Sequence, residues 1–451
     1  MSVRLREALH RAAADVPAYP VHERALATAR RTRRRAALAG VAAVAAVLAL
    51  GLSVPPAGPA RIDPAAGAET ALPDRIGLPV LGSLHATDRP RLGPAAVIFS
   101  GQARGLDGWD EAGIVGIVGA DADRYRTWRT GWEAPVGEQI FLSPDGRRMA
   151  VPNGSPERPG VDLVDLVDGR VRRLTSAVPG SVSAQPKGWA PDGGSLVVGD
   201  DVPANPEGSA YRRVLSLVRL DAGHWTTLAD DVEPGYRTPV AFSPDGARIA
   251  FQTGNRVSVV GTDGRQQSSF DLGPDDALAG KGAWTVDGSL TLASRTEGTN
   301  RWSLRRVDPG TGRNLGPSAL PAVDGVTAIR LLGWATDGSA WVVGYQPDVD
   351  SPTRFDQPLA IDQRTTYQEV QTVRVLALTP GAAAPTTLLT APDQVLALDV
   401  ADHVVRAGRV RAADPPTGVG GRFWWWTGLA TVVALGLLVL RSVRRRRRWS
   451  A

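Results

Sequence analysis

Five aspartates recur in one local setting, and carboxylates repeated in this way are the first candidates for chemistry. Asp145, Asp192, Asp245, Asp287 and Asp337 each precede a glycine, in FLSPDGRRMAV (141–151), GWAPDGGSLVV (188–198), AFSPDGARIAF (241–251), AWTVDGSLTLA (283–293) and GWATDGSAWVV (333–343). Turn chemistry accounts for them. Pro presets φ, Asp bonds its own backbone and Gly accepts the left-handed conformation, so these Asp residues are read as structural. Asp348-x-Asp350 and Asp121-x-Asp123 alternate carboxylates without the downstream Gly and Glu of a calcium loop. His10, His22, His85, His224 and His403 are scattered and assemble no metal cluster. Gly-x-Ser-x-Gly, Walker A and His-Glu-x-x-His motifs are missing, and with no Cys there is no thiolate nucleophile or disulfide. No catalytic, cofactor-binding or metal-binding residue is therefore assigned.

The elements that carry these turns are strands. The five Asp residues are spaced by 47, 53, 42 and 50 positions, the period of one propeller blade. Three residues before each Asp stands a large apolar residue: Leu142, Trp189, Phe242, Trp284 or Trp334. After it, positions four and six are apolar in four copies, as in Met149/Val151 and Ile249/Phe251, and this period of two predicts a strand beyond the turn. A second turn follows each first one, as at Asp168-Gly169 and Asp263-Gly264. Units of four strands result, and four-stranded units close their edges by forming a ring. With 50 Gly and 35 Pro in 451 residues, the fold class is all-β. Ala95 to Ser100 and Gly113 to Trp128 supply three strands that lack an innermost partner, and Val395 to Val400 can provide it, closing six blades. A further strand from His403 to Val410 would make seven.

At these residues the sequence resembles the WD40-like repeats of TolB-type β-propellers, over roughly residues 80 to 410. Gly-His and Trp-Asp signatures of true WD40 repeats are not present. The resemblance implies a binding platform before it implies chemistry.

In such a blade the loop between the second and third strands leaves on the face opposite the S-P-D-G turns. Three of these loops are long: Gly101 to Ala112, Asp200 to Arg212 and Gln346 to Glu369. Their candidate contact residues are Asp107, Trp109, Asp110, Tyr211, Asp350, Arg354, Phe355 and Asp356, exposed aromatics and charges able to anchor a partner.

Net charge is +5, and it resides in the tails: residues 1–35 and 441–451 each carry an excess of six positive charges, leaving the middle acidic. An acidic middle repels phosphate backbones, so nucleic acid is excluded as a partner of the large domain. Arg outnumbers Lys 49 to 2, a bias that resembles high-GC actinobacterial proteins. Residues 36–54 and 423–440 are apolar and of spanning length. Arg33, Arg34 and Arg35 abut the first; Trp424, Trp425 and Trp426 open the second, and Arg444 and Arg445 belong to the run after it. The positive-inside rule and the aromatic belt then place both termini in the cytoplasm and the middle outside the plasma membrane.

The expected organisation is a basic helical tail (1–35), a first transmembrane helix (36–54), a Pro/Ala/Gly-rich linker (55–78), an extracytoplasmic propeller (79–410), a linker (411–422), a second transmembrane helix (423–440) and an Arg-rich tail (441–451). The functional expectation is a non-catalytic binding, sensor or scaffold module that engages an envelope protein, peptide or glycan, with no cofactor. The second reading rests on the tail, whose stripe Leu5, Leu9, Ala12, Ala13 and Val16 forms an amphipathic helix. This arrangement resembles membrane-bound regulators of extracytoplasmic-function sigma factors, though the His-x-x-x-Cys-x-x-Cys motif of many anti-sigma domains is missing; a sigma-factor-like cytoplasmic partner would follow. A propeller hydrolase or lyase is the third reading, since convergent carboxylates leave no linear motif.

Overall fold

The computed structural model describes residues 70–77, 91–101, 114–130, 134–232, 238–316, 318–347, 370–393, 395–415 and 421–448. The tail and apolar segment expected at 1–54 lie outside the described residues.

Each S-P-D-G copy forms the turn between the inner strand of a blade and its second strand, as Phe141–Leu142 to Arg148–Pro152 and Val240–Phe242 to Arg248–Thr253 show. In both turns the Ser hydroxyl donates to the Asp carboxylate, which also accepts the backbone N–H two residues on: Arg147 at 3.1 Å and Ala247 at 3.0 Å. Gly146 and Gly246 then take φ values of +70° and +71°, a conformation that favours glycine. An alanine at 146 would also strike the Ala95 carbonyl, 2.2 Å from its Cβ.

Six four-stranded antiparallel sheets result among the described residues. Five are continuous in sequence. Blade 1 spans residues 141–175, blade 2 183–232, blade 3 240–271, blade 4 276–324 and blade 5 328–390. Blade 6 joins the inner strand Val395–Val400 to Ala95–Gly101, Ile114–Gly119 and Tyr125–Arg129, with Val97 opposite Val400. The ring therefore closes by pairing its C-terminal strand with its N-terminal ones, as the unpartnered set at 95–128 implies.

Consecutive blades pack through apolar faces, and the large residue three positions before the turn Asp lies at that seam. The indole N–H of Trp189 donates to the Phe141 carbonyl of the preceding blade at 3.2 Å, and Trp284 does so to Ala241 at 3.1 Å. Trp334 reaches Gly282 at 3.0 Å. Where Phe242 or Leu142 holds that position the carbonyl cap is lost and burial alone remains.

The seven-blade alternative is excluded. Asp402–Ala407 is a helix, ended by Gly408 at φ +66°. Asp402 in its first turn and Arg406 in its last suit the helix dipole, and Val404 and Val405, adjacent and both buried, mimic a strand in sequence. Val410–Arg411 then pairs in parallel with Leu72–Pro73, outside the blades. The linkers expected at 55–78 and 411–422 thus contribute packed residues: Leu72, Ile76 and Ala413 are buried.

The last helix, Gly421–Arg448, is described separately from the propeller. Trp426, Leu437 and Leu438 on it are more than 60 % exposed. Its described side chains run from 426 to 438, about 20 Å along the axis. Among the described residues no helix is long and apolar enough to cross a membrane, so the spanning helix expected at 423–440 is not established, and the one at 36–54 lies outside those residues.

Candidate functional site: a charged central channel with one sealed mouth

Inner strands line the axis of a propeller, and here they carry charge. Asp399 is the penultimate residue of the closing strand Val395–Val400 and is fully buried. One of its carboxylate oxygens accepts the Leu142 N–H of blade 1 at 3.1 Å. The other lies 3.0 Å from Lys281 Nζ of blade 4 and 3.6 Å from Arg330 Nη1 of blade 5. Blades 1 and 4 face each other across a six-membered ring, so this single carboxylate spans the axis.

The residues that follow complete a seal. Lys281 Nζ also meets Asp402 at 2.8 Å and donates to the Val400 carbonyl at 2.6 Å. His403 N–H donates to the Pro144 carbonyl in the blade 1 turn at 3.0 Å, and Thr336 N–H of the blade 5 turn donates to Arg406 at 3.3 Å. Asp402 and His403 are chain neighbours bound to opposite blades, so the helix Asp402–Ala407 lies over the axis at the S-P-D-G end of the channel.

Above the seal the wall carries Arg330, Tyr345, Lys187, Arg213, Asp201 and Glu138. Arg330 Nε donates to the Tyr345 hydroxyl at 3.2 Å, and its Nη2 donates to the Leu398 carbonyl. On blade 2, Arg213 contacts Asp201 at 2.8 Å and Thr238 of the next blade at 3.1 Å. Lys187 and Arg213 lie side by side over Gly199: a Cβ there would stand 3.2 Å from both side chains. Lys187 Nζ donates to Gln185 Oε1 at 3.1 Å.

The two lysines of the chain are held in opposite states. Burial would lower Lys281, but Asp399 and Asp402 outweigh it and hold its ammonium above the usual value. At Lys187 burial is reinforced by the Arg213 charge and only partly opposed by Asp201 and Glu138, which pushes the amine down to about 7. At the seam of blades 1 and 2, away from this set, Asp200 is fully buried and accepts the Ser181 hydroxyl at 2.8 Å; burial raises its carboxyl.

Of the residues expected to form a contact face, Tyr211 is described: it opens the third strand of blade 2 opposite Pro203 and is 45 % exposed. Asp107, Trp109, Asp110, Asp350, Arg354, Phe355 and Asp356 lie outside the described residues, as do Arg33, Arg34 and Arg35. Trp424, Trp425, Arg444 and Arg445 fall within the last helix, their side chains outside the described set. The channel residues were not foreseen. Each sits in or beside an inner strand with no linear motif, yet one signal existed: the chain has two lysines, and both are buried at the axis.

No protein-family model matches the sequence, and no curated protein matches it. Solved structures do. TolB from Acinetobacter baumannii is 15 % identical with a TM-score of 0.41, covering 70 % of this chain and 68 % of that one. An oligogalacturonate lyase from Vibrio parahaemolyticus is 13 % identical with a TM-score of 0.41, covering 71 % and 84 %. A mutant puromycin hydrolase is 17 % identical with a TM-score of 0.42, covering 71 % of this chain and 50 % of that one. These are a binding-class name and two enzyme names on one architecture, so the likeness extends to the fold alone: a six-bladed β-propeller to which TolB is similar.

Proposed function

We propose that the chain is a non-catalytic binding, sensor or scaffold module whose propeller engages an envelope protein, peptide or glycan through the face opposite the S-P-D-G turns. The observation that carries this reading is the seal. Residues 399–406 occupy the axis at the turn end, so a partner that uses the channel approaches from the other end, where Tyr211 and Val182 are exposed beside the Asp201–Arg213 pair. Exposed aromatics next to charge are the usual anchors of such surfaces.

Attachment to the plasma membrane, with the propeller outside, is part of the proposal. It is supported by the exposed Trp426, Val433, Leu435, Leu437 and Leu438 on the last helix and by the arginine run that follows them. Protease treatment of spheroplasts, with tags at both termini, is expected to digest the propeller and spare the tags; digestion of either tag overturns the topology.

The binding face is tested by placing a photo-crosslinking residue at Tyr211 or, on the opposite face, at Val286, which is 90 % exposed in the blade 4 turn. Crosslinks to an envelope component from position 211 and none from 286 are expected. Equal yields from the two positions overturn the assignment of the face.

A further inference from the structure

Lys187 and Arg330 offer more donors than their surroundings accept. Lys187 Nζ has three N–H groups and meets one acceptor among the described residues, the neutral amide oxygen of Gln185. Arg330 Nη1 is buried and has no hydrogen-bond acceptor, its nearest carboxylate oxygen on Asp399 being 3.6 Å away. The two residues come from blades 2 and 5, which face each other, and Glu138 of blade 1 acts electrostatically on both. All three therefore address one volume of the channel.

The balance of charge in that volume is positive. Lys187, Arg213 and Arg330 stand against Glu138 and Asp201, an excess of one positive charge when Lys187 is protonated. Asp399 does not supply the missing anion: its carboxylate is held by Lys281 and the Leu142 N–H at the sealed end. A buried ammonium beside a guanidinium with one neutral acceptor is costly, and one monoanion with two acceptor oxygens would remove both the excess charge and the donor surplus.

We propose that the central channel binds a single small carboxylate at Lys187, with Arg330 facing it and the Asp399–Lys281 seal as floor. The site needs no macromolecular partner and goes beyond the face assigned above. Because Asp201 and Glu138 leave room for one negative charge only, a monocarboxylate is preferred to a dianion. Its source can be a free acid or the acidic end of a peptide, and the two are separated by using acetate and glycyl-aspartate amide as probes.

Having two lysines makes the test direct. Full-length chain grown on lysine labelled with 13C at Cε gives one signal from Lys187 and one from Lys281. Acetate, at ionic strength matched with sodium chloride, is expected to shift the Lys187 signal saturably and to raise its titration midpoint by about one pH unit, the signature of roughly tenfold tighter binding to the charged amine. Acetamide, neutral and of the same shape, is expected to do neither. A response to the peptide amide and not to acetate assigns the site to peptide ends, and the reverse to free acids; both support a carboxylate site. No saturable shift at Lys187 with either probe, an equal response to acetamide, or a response at Lys281 alone overturns the proposal. As a second measurement, K187M should abolish acetate-dependent thermal stabilisation, and K187M that is stabilised as much as the wild type overturns it as well.

Discussion

The Arg148 guanidinium stacks over the Trp189 indole with 5.2 Å between its carbon and the ring centroid, and the contact crosses from blade 1 to blade 2. Arg148 Nη2 also donates to the Gly193 carbonyl in the next turn at 2.8 Å. Arg248 repeats the stacking on Trp284 of blade 4 at 4.4 Å. The third residue after the turn Asp thus reaches forward, while the indole reaches back to the Phe141 carbonyl, and each seam is stitched in both directions.

Replacing Trp189 by Phe keeps most of the burial and leaves the Phe141 carbonyl uncapped, so W189F should cost about 1–2 kcal/mol in urea unfolding. R148M should cost about 0.5–1 kcal/mol. The double variant should fall short of the sum, since the two residues touch; strict additivity would show that the stacked pair contributes nothing.

Asp399→Asn leaves Lys281 and Arg330 without their shared counter-charge at the axis. A loss of about 3–5 kcal/mol is expected, against well under 1 kcal/mol for Asp263→Asn, whose pair with Arg265 is exposed. Comparable losses in the two variants would remove the seal from the account of stability.

Lys187 gives the opposite sign. Its folded value of about 7 lies below the unfolded lysine value, so between these limits the unfolded chain binds the extra proton and stability rises with pH. Lys187→Met should be more stable than the wild type at pH 7, by about 1–4 kcal/mol, with a flatter profile from pH 7 to pH 10. Parallel profiles would show that the amine is solvated.

Asp200 is a carboxyl raised by burial, so its ionisation opposes folding: stability is greatest below the unfolded carboxyl value and declines as pH rises through the folded one. Asp200→Asn retains the acceptor for Ser181 and should raise the melting temperature at pH 7, the gain vanishing near pH 3. An equal gain at both pH values would point to a cause other than charge.

Acid should act through the turns. The Thr285 hydroxyl, outweighing burial together with the Ser289 groups and Arg306, holds Asp287 down at about 2; Asp245 and Asp337 are also lowered, through Ser243 and Ser339. A lowered carboxyl contributes stability above its unfolded value of about 3.9 that is lost as pH falls through the folded value. Asp287→Asn should therefore reduce the dependence of the urea midpoint on pH between 4 and 2, and an unchanged dependence would assign acid sensitivity elsewhere.

The ring was legible because its information is local and repeated. A Pro-Asp-Gly turn needs four residues to state itself, and the strand after it needs only alternation, as at Met149 and Val151, both buried in the structure. The closing strand could be foreseen for the same reason: Val395–Val400 alternates poorly but is wholly apolar save Asp399, as an inner strand should be. Helix 402–407 escaped because six residues are too few for a helical period to outweigh two adjacent valines. The channel escaped for a deeper reason. Lys187, Arg330 and Asp399 meet through the radial placement of blades 2, 5 and 6, a relationship between positions more than sixty residues apart that spacing along the chain does not encode.

Blade 6 also imposes a schedule on synthesis. Ala95–Gly101 leaves the ribosome with one edge unpaired, and its partner Val395–Val400 follows about 300 residues later; at roughly 5–20 residues per second the wait is tens of seconds. Throughout it Ile98 and Phe99, later fully enclosed, belong to an open strand able to pair with another nascent chain. The same arrangement that gives the finished ring no free inner edge makes its first-made blade the last to be completed, and the stage most in need of a chaperone is the one before residue 400 appears.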